Sequence, residues 1–366
     1  MGDERGLQAE QEVGRINAFF PILPTLGNRW AASRPWEGTT IGLNLHVTPL
    51  SASLLRELAL GGATCIVSSA NPATTDAGSV ELLRGSGVEV YTGGDLENRY
   101  LQVLDHGPSL VVDSGFELIA TLLDKRAGMV GKIKGAVELS RTGIARLRAR
   151  GPVPFPVVNV SDGRLKDAVE NRHGVGEGVW QAVSLLTGMH LSGRRAAILG
   201  YGPVGRGLAA YGRAAGCAIE VVESDPIRRL FAHYDGYPTP GLGDALSRVR
   251  IAITATGRKG AIGVHDLASA RDGLVLLNAG HGGDEIDVDA IRTAAVRADN
   301  VADQVVRYRL ESGARVTLLG GGNPLNIVLN SGSPEPVVLH FAVVGLALER
   351  LAGEARLANG EVVVPE

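Results

Sequence analysis

The sequence predicts an α/β fold built from two open, parallel-sheet domains. Three observations predict it. Short apolar runs alternate with segments of helical periodicity in both halves of the chain. A Pro-, Gly- and polar-rich stretch from Gly151 to Gly178 interrupts that alternation once. A glycine loop, Gly200-Tyr201-Gly202-Pro203-Val204-Gly205, joins an apolar run to an amphipathic one in the second half.

In chain order, Thr64-Cys65-Ile66-Val67, Val88-Glu89-Val90-Tyr91 and Leu110-Val111-Val112 read as buried parallel strands. Between them, Leu54 to Leu60, Val80 to Arg84 and Leu96 to Leu104 carry apolar residues at helical spacing, and glycine-rich turns close each unit. Gly151-Pro152-Val153-Pro154-Phe155-Pro156 cannot be a helix, because each proline lacks an N–H and clashes with the preceding turn. A strand from Val157 to Val160, a polar segment from Ser161 to Gly178 and a helix from Val179 to Leu186 follow. Strands are expected at Ala196 to Leu199, Ile219 to Val222, Arg250 to Thr254 and Leu274 to Leu277. Gly320-Gly321-Gly322-Asn323-Pro324 reads as a turn or hinge, and a last helix, Val337 to Leu351, can cross back onto the first domain. The expected domains are 1–175, completed by 323–366, and 176–322, joined by a two-segment hinge.

Composition agrees with two globular domains. The chain has 366 residues, 45% hydrophobic and 20% charged, enough to bury a large core. Aromatics are only 4%, so that core must be aliphatic, and the 50 glycines point to tight turns and close backbone approaches. A net charge of −3 with well-mixed signs argues against a nucleic-acid face or a polybasic membrane patch. Cys65 and Cys217 lack metal-ligand spacing and read as buried free thiols of a reducing, cytoplasmic compartment. No metal is expected. Residues 1–15 are acidic and polar, unlike a secretory signal, and the apolar run Phe341 to Leu348 is too short to span a bilayer.

The glycine loop has the context of a dinucleotide fingerprint. It follows a strand, opens a helix from Val204 to Ala215, and is followed by a second strand ending at Glu223. Gly200 allows the tight turn, Gly202 admits the pyrophosphate at the helix N-terminus, and Gly205 lets helix and sheet close up. Glu223 accepts from the ribose hydroxyls and repels a 2′-phosphate, so NAD is favoured over NADP. The second domain is therefore expected to be Rossmann-like and NAD-binding. Thr254-Ala255-Thr256 before Gly257, and Ala279-Gly280 after Asn278, fall at further strand ends where a cofactor sits.

Three polar clusters carry candidate chemistry. His46 lies in Gly42-Leu43-Asn44-Leu45-His46-Val47-Thr48, Lys166, Glu170 and Asn171 lie at the domain junction, and His281 lies in Asn278-Ala279-Gly280-His281-Gly282-Gly283-Asp284. Nicotinamide chemistry needs a base for the alcohol proton as hydride leaves, and Lys or His supplies it. Read bare, His46 is equally well a satisfied interior residue, and Lys166 with Glu170 a surface helix pair.

In this order the clusters resemble the S-adenosylhomocysteine hydrolase family, from about Gly42 to Ala347. The strings that carry the resemblance are His46-Val47-Thr48, Thr142-Gly143, Asn159-Val160-Ser161-Asp162 through Lys166, Glu170 and Asn171-Arg172-His173-Gly174, the glycine loop through Gly207, Glu223-Ser224-Asp225-Pro226 and Asn278-Ala279-Gly280-His281. The resemblance implies a resident NAD, a nucleoside substrate and a homo-oligomer, dimer or tetramer. It implies that Lys166, beside Glu170, assists 3′-hydroxyl deprotonation, that His46 handles protons at the 5′ side, and that His281 lies near nicotinamide and sugar. It places Ser140, Arg141, Thr142 and Asn171 at the cofactor or orienting the sugar. Thr48, Asp113, Ser114, Leu139 and Asn323 are the implied substrate contacts.

The departures from the family pattern concern the substrate. The paired aspartates after the third strand are Asp113-Ser114 here. In Glu138-Leu139-Ser140-Arg141-Thr142 the second glutamate, a ribose-hydroxyl ligand in the family, is Leu139. Leaving such hydroxyls unpaired costs about 1–3 kcal/mol. The aspartate beside the lysine is Glu170, the His-Pro of the second hinge is Asn323-Pro324, and the family's C-terminal tail, whose Lys and Tyr reach a neighbour's NAD, is not matched, so a self-contained cofactor pocket is expected. The preferred expectation is a divergent member that resembles the dehydratase branch found in nucleoside-antibiotic pathways such as the angustmycins. It would eliminate water from a 5′-hydroxyl to give a 4′,5′-dehydronucleoside. The alternatives are a true S-adenosylhomocysteine hydrolase and a non-catalytic NAD-binding regulator. Lys166 and His281 argue against the last, since a binder needs neither.

Overall fold

The computed structural model describes residues 2–280, 283–353 and 357–364. The chain forms two compact units: Met1–Lys166 with Pro334–Glu366, and Asp167–Ser333.

The first leg carries α1 (Gly2–Phe19), α2 (Ile22–Ser33), β1 (Thr39–Leu45), α3 (Pro49–Leu60), β2 (Ala63–Ser69), α4 (Ala77–Gly85) and β3 (Glu89–Tyr91). It continues with α5 (Leu96–Asp105), β4 (Leu110–Asp113), α6 (Glu117–Lys125), β5 (Gly135–Glu138), α7 (Arg141–Arg150) and β6 (Pro156–Asn159). The helices start where a short polar side chain can accept a first-turn N–H: Thr48, Asp76, Asp95 and Ser140 each cap one. The acidic N-terminus, which offers no strong apolar stripe, nonetheless forms α1, anchored by buried Val13 and Ile16.

A π-helical stretch, Leu165–Gly174, carries the chain from the first unit into the second and runs into α8 (Val175–Thr187). The sequence reading begins the helix at Val179, after a polar segment from Ser161 to Gly178; in the structure the helix starts at Leu165. Gly176 and Gly178 are packing glycines, not helix breakers: a Cβ on Gly176 would meet Gly207 backbone at 2.8 Å, and one on Gly178 would meet the Ser331 carbonyl at 2.6 Å. The units divide at 166/167, near the start of this helix. Then come β7 (Arg195–Leu199), α9 (Pro203–Ala214), β8 (Ala218–Val222), α10 (Pro226–Tyr234), α11 (Leu242–Leu246), β9 (Ile251–Thr254) and β10 (Leu274–Asn278). The unit ends with α12 (Val288–Ala294), β11 (Ala295–Ala302), β12 (Val305–Leu310), β13 (Arg315–Leu319) and α13 (Leu325–Val328).

Its seven strands run in the order β11-β12-β13-β10-β9-β7-β8. From β13 to β8 every pairing is parallel, whereas β12 and β11 join antiparallel. The sheet is therefore mixed at one edge, a feature that the purely parallel expectation lacks. Outermost β11 is almost wholly exposed and carries Arg297, Asp299 and Asn300, charged and polar groups that suit an edge. The strand order reverses between β7 and β9, which makes a crevice at their carboxyl ends.

The chain returns with α14 (Glu335–Ala352) and β14 (Gly360–Val363). β14 pairs parallel with β6, completing an all-parallel sheet of order β14-β6-β5-β4-β1-β2-β3. Helix α14 lies on α2, α3 and β5, and Gly345 leaves the space that the Trp30 ring fills. Asn323-Pro324, expected at the second crossing, instead sits inside the second unit, where Pro324 bridges to Asn278; the chain leaves that unit at Ser333/Pro334. In the first sheet the order reverses between β1 and β4. Cys65 and Cys217 are buried free thiols, and burial pushes the Cys65 thiol up to about 12. Among the described residues no helix is long and apolar enough to cross a membrane.

Candidate functional site

In the second unit the candidate cofactor residues gather at the crevice between β7 and β9. Gly200 has φ +95°, and a Cβ there would meet the Ala255 carbonyl at 2.5 Å, so this turn accepts glycine alone. A Cβ on Gly205 would land on the Gly200 carbonyl oxygen, which is the close helix–strand approach that the third glycine provides. Gly202 is different. Its nearest foreign atom is Arg228 Nη1, 4.0 Å from the Cβ position, so the backbone there is open to a ligand. Pro203 begins α9, and no side chain caps this helix, which leaves its first N–H groups directed at the crevice. Val204 follows in the same first turn.

Glu223 stands at the end of β8. Its Oε2 accepts the Tyr201 N–H at 2.7 Å and its Oε1 the Asp225 N–H at 2.9 Å. These two bonds fix the carboxylate against the phosphate loop, with lone pairs left for ribose hydroxyls. Leu199, Gly200, Gly202, Glu223, Ala255 and Thr256 line one cavity of about 470 Å³. These features fit a dinucleotide: a bare backbone at an uncapped helix N-terminus for the pyrophosphate, and a fixed carboxylate for the ribose.

The remaining strand ends are braced from below. Thr254 is wholly buried and donates to Asn278 Oδ1 at 3.0 Å, and Gly280 N–H donates to the same oxygen at 2.7 Å. Asn278 Nδ2 donates to the Gly322 carbonyl at 3.0 Å. Buried Glu285 accepts from Thr256 N and Oγ1, each at 2.8 Å, and from Gly257 N at 2.9 Å. Gly280 has no Cβ because the Glu285 carboxylate occupies that space. Glu285 was missed by sequence reasoning; its signal was an acid placed just after a glycine-rich strand end. Ala279 is buried in the core beside Asn278. His281 lies outside the described residues. Asn323 donates to the Gly320 carbonyl at 3.2 Å within the second unit.

In the first unit the candidates cluster at the carboxyl ends of β1, β4 and β5. His46 follows β1, and its Nδ1 is 2.6 Å from Thr74 Oγ1. The Thr74 hydroxyl donates to the Asn71 carbonyl at 3.0 Å, so His46 Nδ1–H donates to Thr74. That arrangement puts the lone pair of the neutral ring on Nε2. Thr48 is buried and caps α3. Asp113 ends β4, wholly buried; it accepts from Asn44 Nδ2 at 2.9 Å and from Ile119 N at 2.8 Å, with Ser114 buried beside it. Glu138 ends β5 and accepts from Gly115 N, Phe116 N, Ser140 N and Ser140 Oγ at 2.8–2.9 Å. Burial pushes Asp113 up to about 6, and burial with the Asp113 charge pushes Glu138 up to about 8.

Leu139 follows, its side chain in the hydrophobic core and its N–H on the Asp113 carbonyl. Ser140 caps α7 through Gly143 N, so its hydroxyl is engaged within the unit; Arg141 and Thr142 form the first turn. Lys166, Glu170 and Asn171 all lie on the π-helical stretch, where Asn171 Nδ2 donates to Asp167 Oδ1 at 3.2 Å. Such stretches are uncommon and recur at functional sites.

Comparison with known proteins bears on this arrangement. A family model described as S-adenosyl-L-homocysteine hydrolase, NAD binding domain, matches residues 171–332. The chain is 33% identical over 358 residues to an S-inosyl-L-homocysteine hydrolase of Methanopyrus kandleri, covering 95% of this chain and 84% of that protein. It is 32% identical over 366 residues to an adenosylhomocysteinase of Thermococcus kodakarensis, covering 97% and 87% respectively. Among solved structures, a dipicolinate synthase chain from Bacillus halodurans aligns with a TM-score of 0.55 at 14% identity, over 87% of this chain and 100% of that one, a likeness of fold alone.

Proposed function

The chain belongs to the S-adenosyl-L-homocysteine hydrolase family, is an NAD-dependent enzyme, and on that premise we propose that it hydrolyses the thioether of an S-nucleosyl-homocysteine. One observation carries this reading above the dehydratase expectation: the match to hydrolases runs through both units and through most of each relative, not through the cofactor domain alone. Relatives named for inosyl and for adenosyl substrates both align, so a purine nucleoside is the substrate class and the base is left to experiment.

Bound NAD supplies the temporary hydride acceptor for the sugar C3′. The chain's own residues do the rest. Lys166 takes the 3′-hydroxyl proton, with Glu170 and Asn171 on the same helical stretch orienting it. Oxidation at C3′ acidifies the C4′ hydrogen. Loss of that proton and expulsion of the 5′ sulfur leave a C4′–C5′ double bond, water adds to it at C5′ with the proton returning to C4′, and the C3′ ketone is reduced back to the alcohol, so no net oxidation remains. His46, with its basic nitrogen at Nε2, supplies and removes protons at the 5′ side. Ser140, Arg141 and Thr142, at the start of α7, and His281 complete the cofactor and sugar contacts on this reading. Thr48, Asp113, Ser114 and Leu139 in the first unit, and separately Asn323 in the second, are the residues proposed for the substrate. The protein acts as a homo-oligomer, a dimer or tetramer that light scattering would distinguish.

A second reading is elimination of water from a 5′-hydroxyl nucleoside. Leu139 favours it: where the family pattern carries a carboxylate for the ribose hydroxyls, this chain buries a leucine that cannot accept from them. The deciding experiment incubates the NAD-loaded protein with S-adenosylhomocysteine, S-inosylhomocysteine and 5′-hydroxyl nucleosides of altered sugars. Thiol release from either thioether supports hydrolysis. No thiol release, together with a nucleoside product lighter by one water, would replace it with the second reading.

A further inference from the structure

We propose that Arg228 is a direct ligand of the cofactor's pyrophosphate, a cation carried by helix α10 to the mouth of the glycine loop. Asp225 caps α10, accepting the N–H groups of Ile227 and Arg228 at 2.9 and 3.0 Å, so Arg228 is fixed in the first turn. From there its Nη1 reaches to 4.0 Å from the Cβ position of Gly202. Gly202 is the loop residue whose bare Cα admits phosphate, and it immediately precedes the uncapped start of α9. A guanidinium and a helix N-terminus thus converge on one point from two different elements.

The cation nearest in sequence does not compete for this role. Arg206 directly follows the glycine loop, but its guanidinium lies over the rings of Tyr201 and Phe231, at 5.4 and 5.3 Å from their centroids. Arg228 instead lines the cavity of about 470 Å³. The same lining holds Arg229 and Arg258 together with the carboxylates of Glu223 and Asp225. Glu223 is held by backbone donors and Asp225 caps its helix; the N–H groups of Arg228 and Ile227, and then the nearby charges of Arg228 and Arg258, hold the Asp225 carboxyl below its ordinary value. Arg258 closes the cavity from the loop after β9, its Nη1 3.4 Å from Ser224 Oγ. A guanidinium matches two phosphate oxygens at once, and such charge-assisted bonds are the strong ones.

The phosphate chemistry has two sources, the pyrophosphate common to all these dinucleotides and a ribose 2′-phosphate, and the test separates them. Protein stripped of nucleotide on charcoal is titrated calorimetrically with NAD, ADP-ribose, NADP and adenosine, for the wild type, Arg228→Ala, Arg228→Lys and Arg258→Ala. Arg228→Ala should weaken NAD and ADP-ribose by about 10- to 100-fold, leave adenosine within about two-fold, and flatten the salt dependence of NAD binding. Arg228→Lys should recover part of the loss, since it restores charge without the fork. Equal loss for adenosine would show a collapsed pocket and overturn the assignment. So would unchanged NAD affinity, or a wild type that prefers NADP and loses only that preference on substitution.

Discussion

Asp113 and Glu138 are register partners at the ends of adjacent parallel strands, both wholly buried, and together they hold the turn into α6. Two carboxylates so placed cannot both ionise cheaply. Burial raises Asp113 to about 6; burial and then the Asp113 charge raise Glu138 to about 8, against the pull of the backbone donors on each. A folded value above the ordinary one means that the folded chain holds the proton more tightly than the unfolded chain does. The stability due to Glu138 is therefore full below about 4.5 and is lost as pH rises through about 8. The unfolding free energy from urea titrations should fall between about pH 5 and 8, by no more than ~1.4 kcal/mol per pH unit for this one group. Asp113→Asn removes the like charge and should flatten the decline while costing about 1–3 kcal/mol overall, because an amide has one acceptor for two donors. A wild-type profile that is level across this range would refute the pairing as a pH determinant.

Glu223→Ala strips two backbone N–H groups of their acceptor and removes the carboxylate expected to hold the ribose. NAD affinity should drop by about 10- to 100-fold. Unlike the loss from Arg228→Ala, this one should extend to adenosine if the carboxylate takes the ribose hydroxyls as proposed. Retention of NAD through gel filtration at wild-type stoichiometry, read from absorbance at 260 and 280 nm, would count against it.

Leu139→Glu restores a carboxylate where the family pattern carries one. If Leu139 faces the sugar, the variant should lower KM for S-adenosylhomocysteine by about ten-fold. It should also lower Tm, because a carboxylate enters the core that Leu139 now shares with Val137 and Val158. A lowered Tm without any change in KM would place Leu139 in the core alone.

The parts of this fold legible in the sequence are those with a local physical signature. The β7–loop–α9 unit was readable because Gly200, Gly202 and Gly205 each answer a separate steric demand, and Glu223 lies at the end of the next strand. The seven parallel strands of the first sheet were readable only in part. β4 is a continuous apolar run, but β14 is a short Val-rich tail whose partner, β6, is far away in sequence. The start of the helix at 165 was hidden because Gly176 and Gly178 look like breakers until Gly207 and Ser331 are seen against them. The same holds for the site. His46 and Lys166 stand out as residue types, whereas Glu285 and Arg228 matter through neighbours that only the folded chain brings near, Thr256 and Gly257 for one, Gly202 for the other.

The division of labour between Lys166 and His46 can be read without waiting for product. On the proposed mechanism Lys166→Met removes the base for the 3′-hydroxyl proton, so it should lower kcat by about 10²–10⁴ while NAD content stays at the wild-type level. Adding substrate to the loaded variant should then give no rise in absorbance at 340 nm, because the sugar is never oxidised. His46→Asn acts later. Asparagine keeps a donor for Thr74 Oγ1 but has no basic nitrogen where Nε2 stands. Its absorbance at 340 nm should rise on adding substrate, and thiol release should lag far behind. The two variants therefore separate oxidation from elimination in one pair of traces. Lys166→Met that reduces its NAD at the wild-type rate would move the first base elsewhere, and His46→Asn that releases thiol at the wild-type rate would return His46 to a purely structural role.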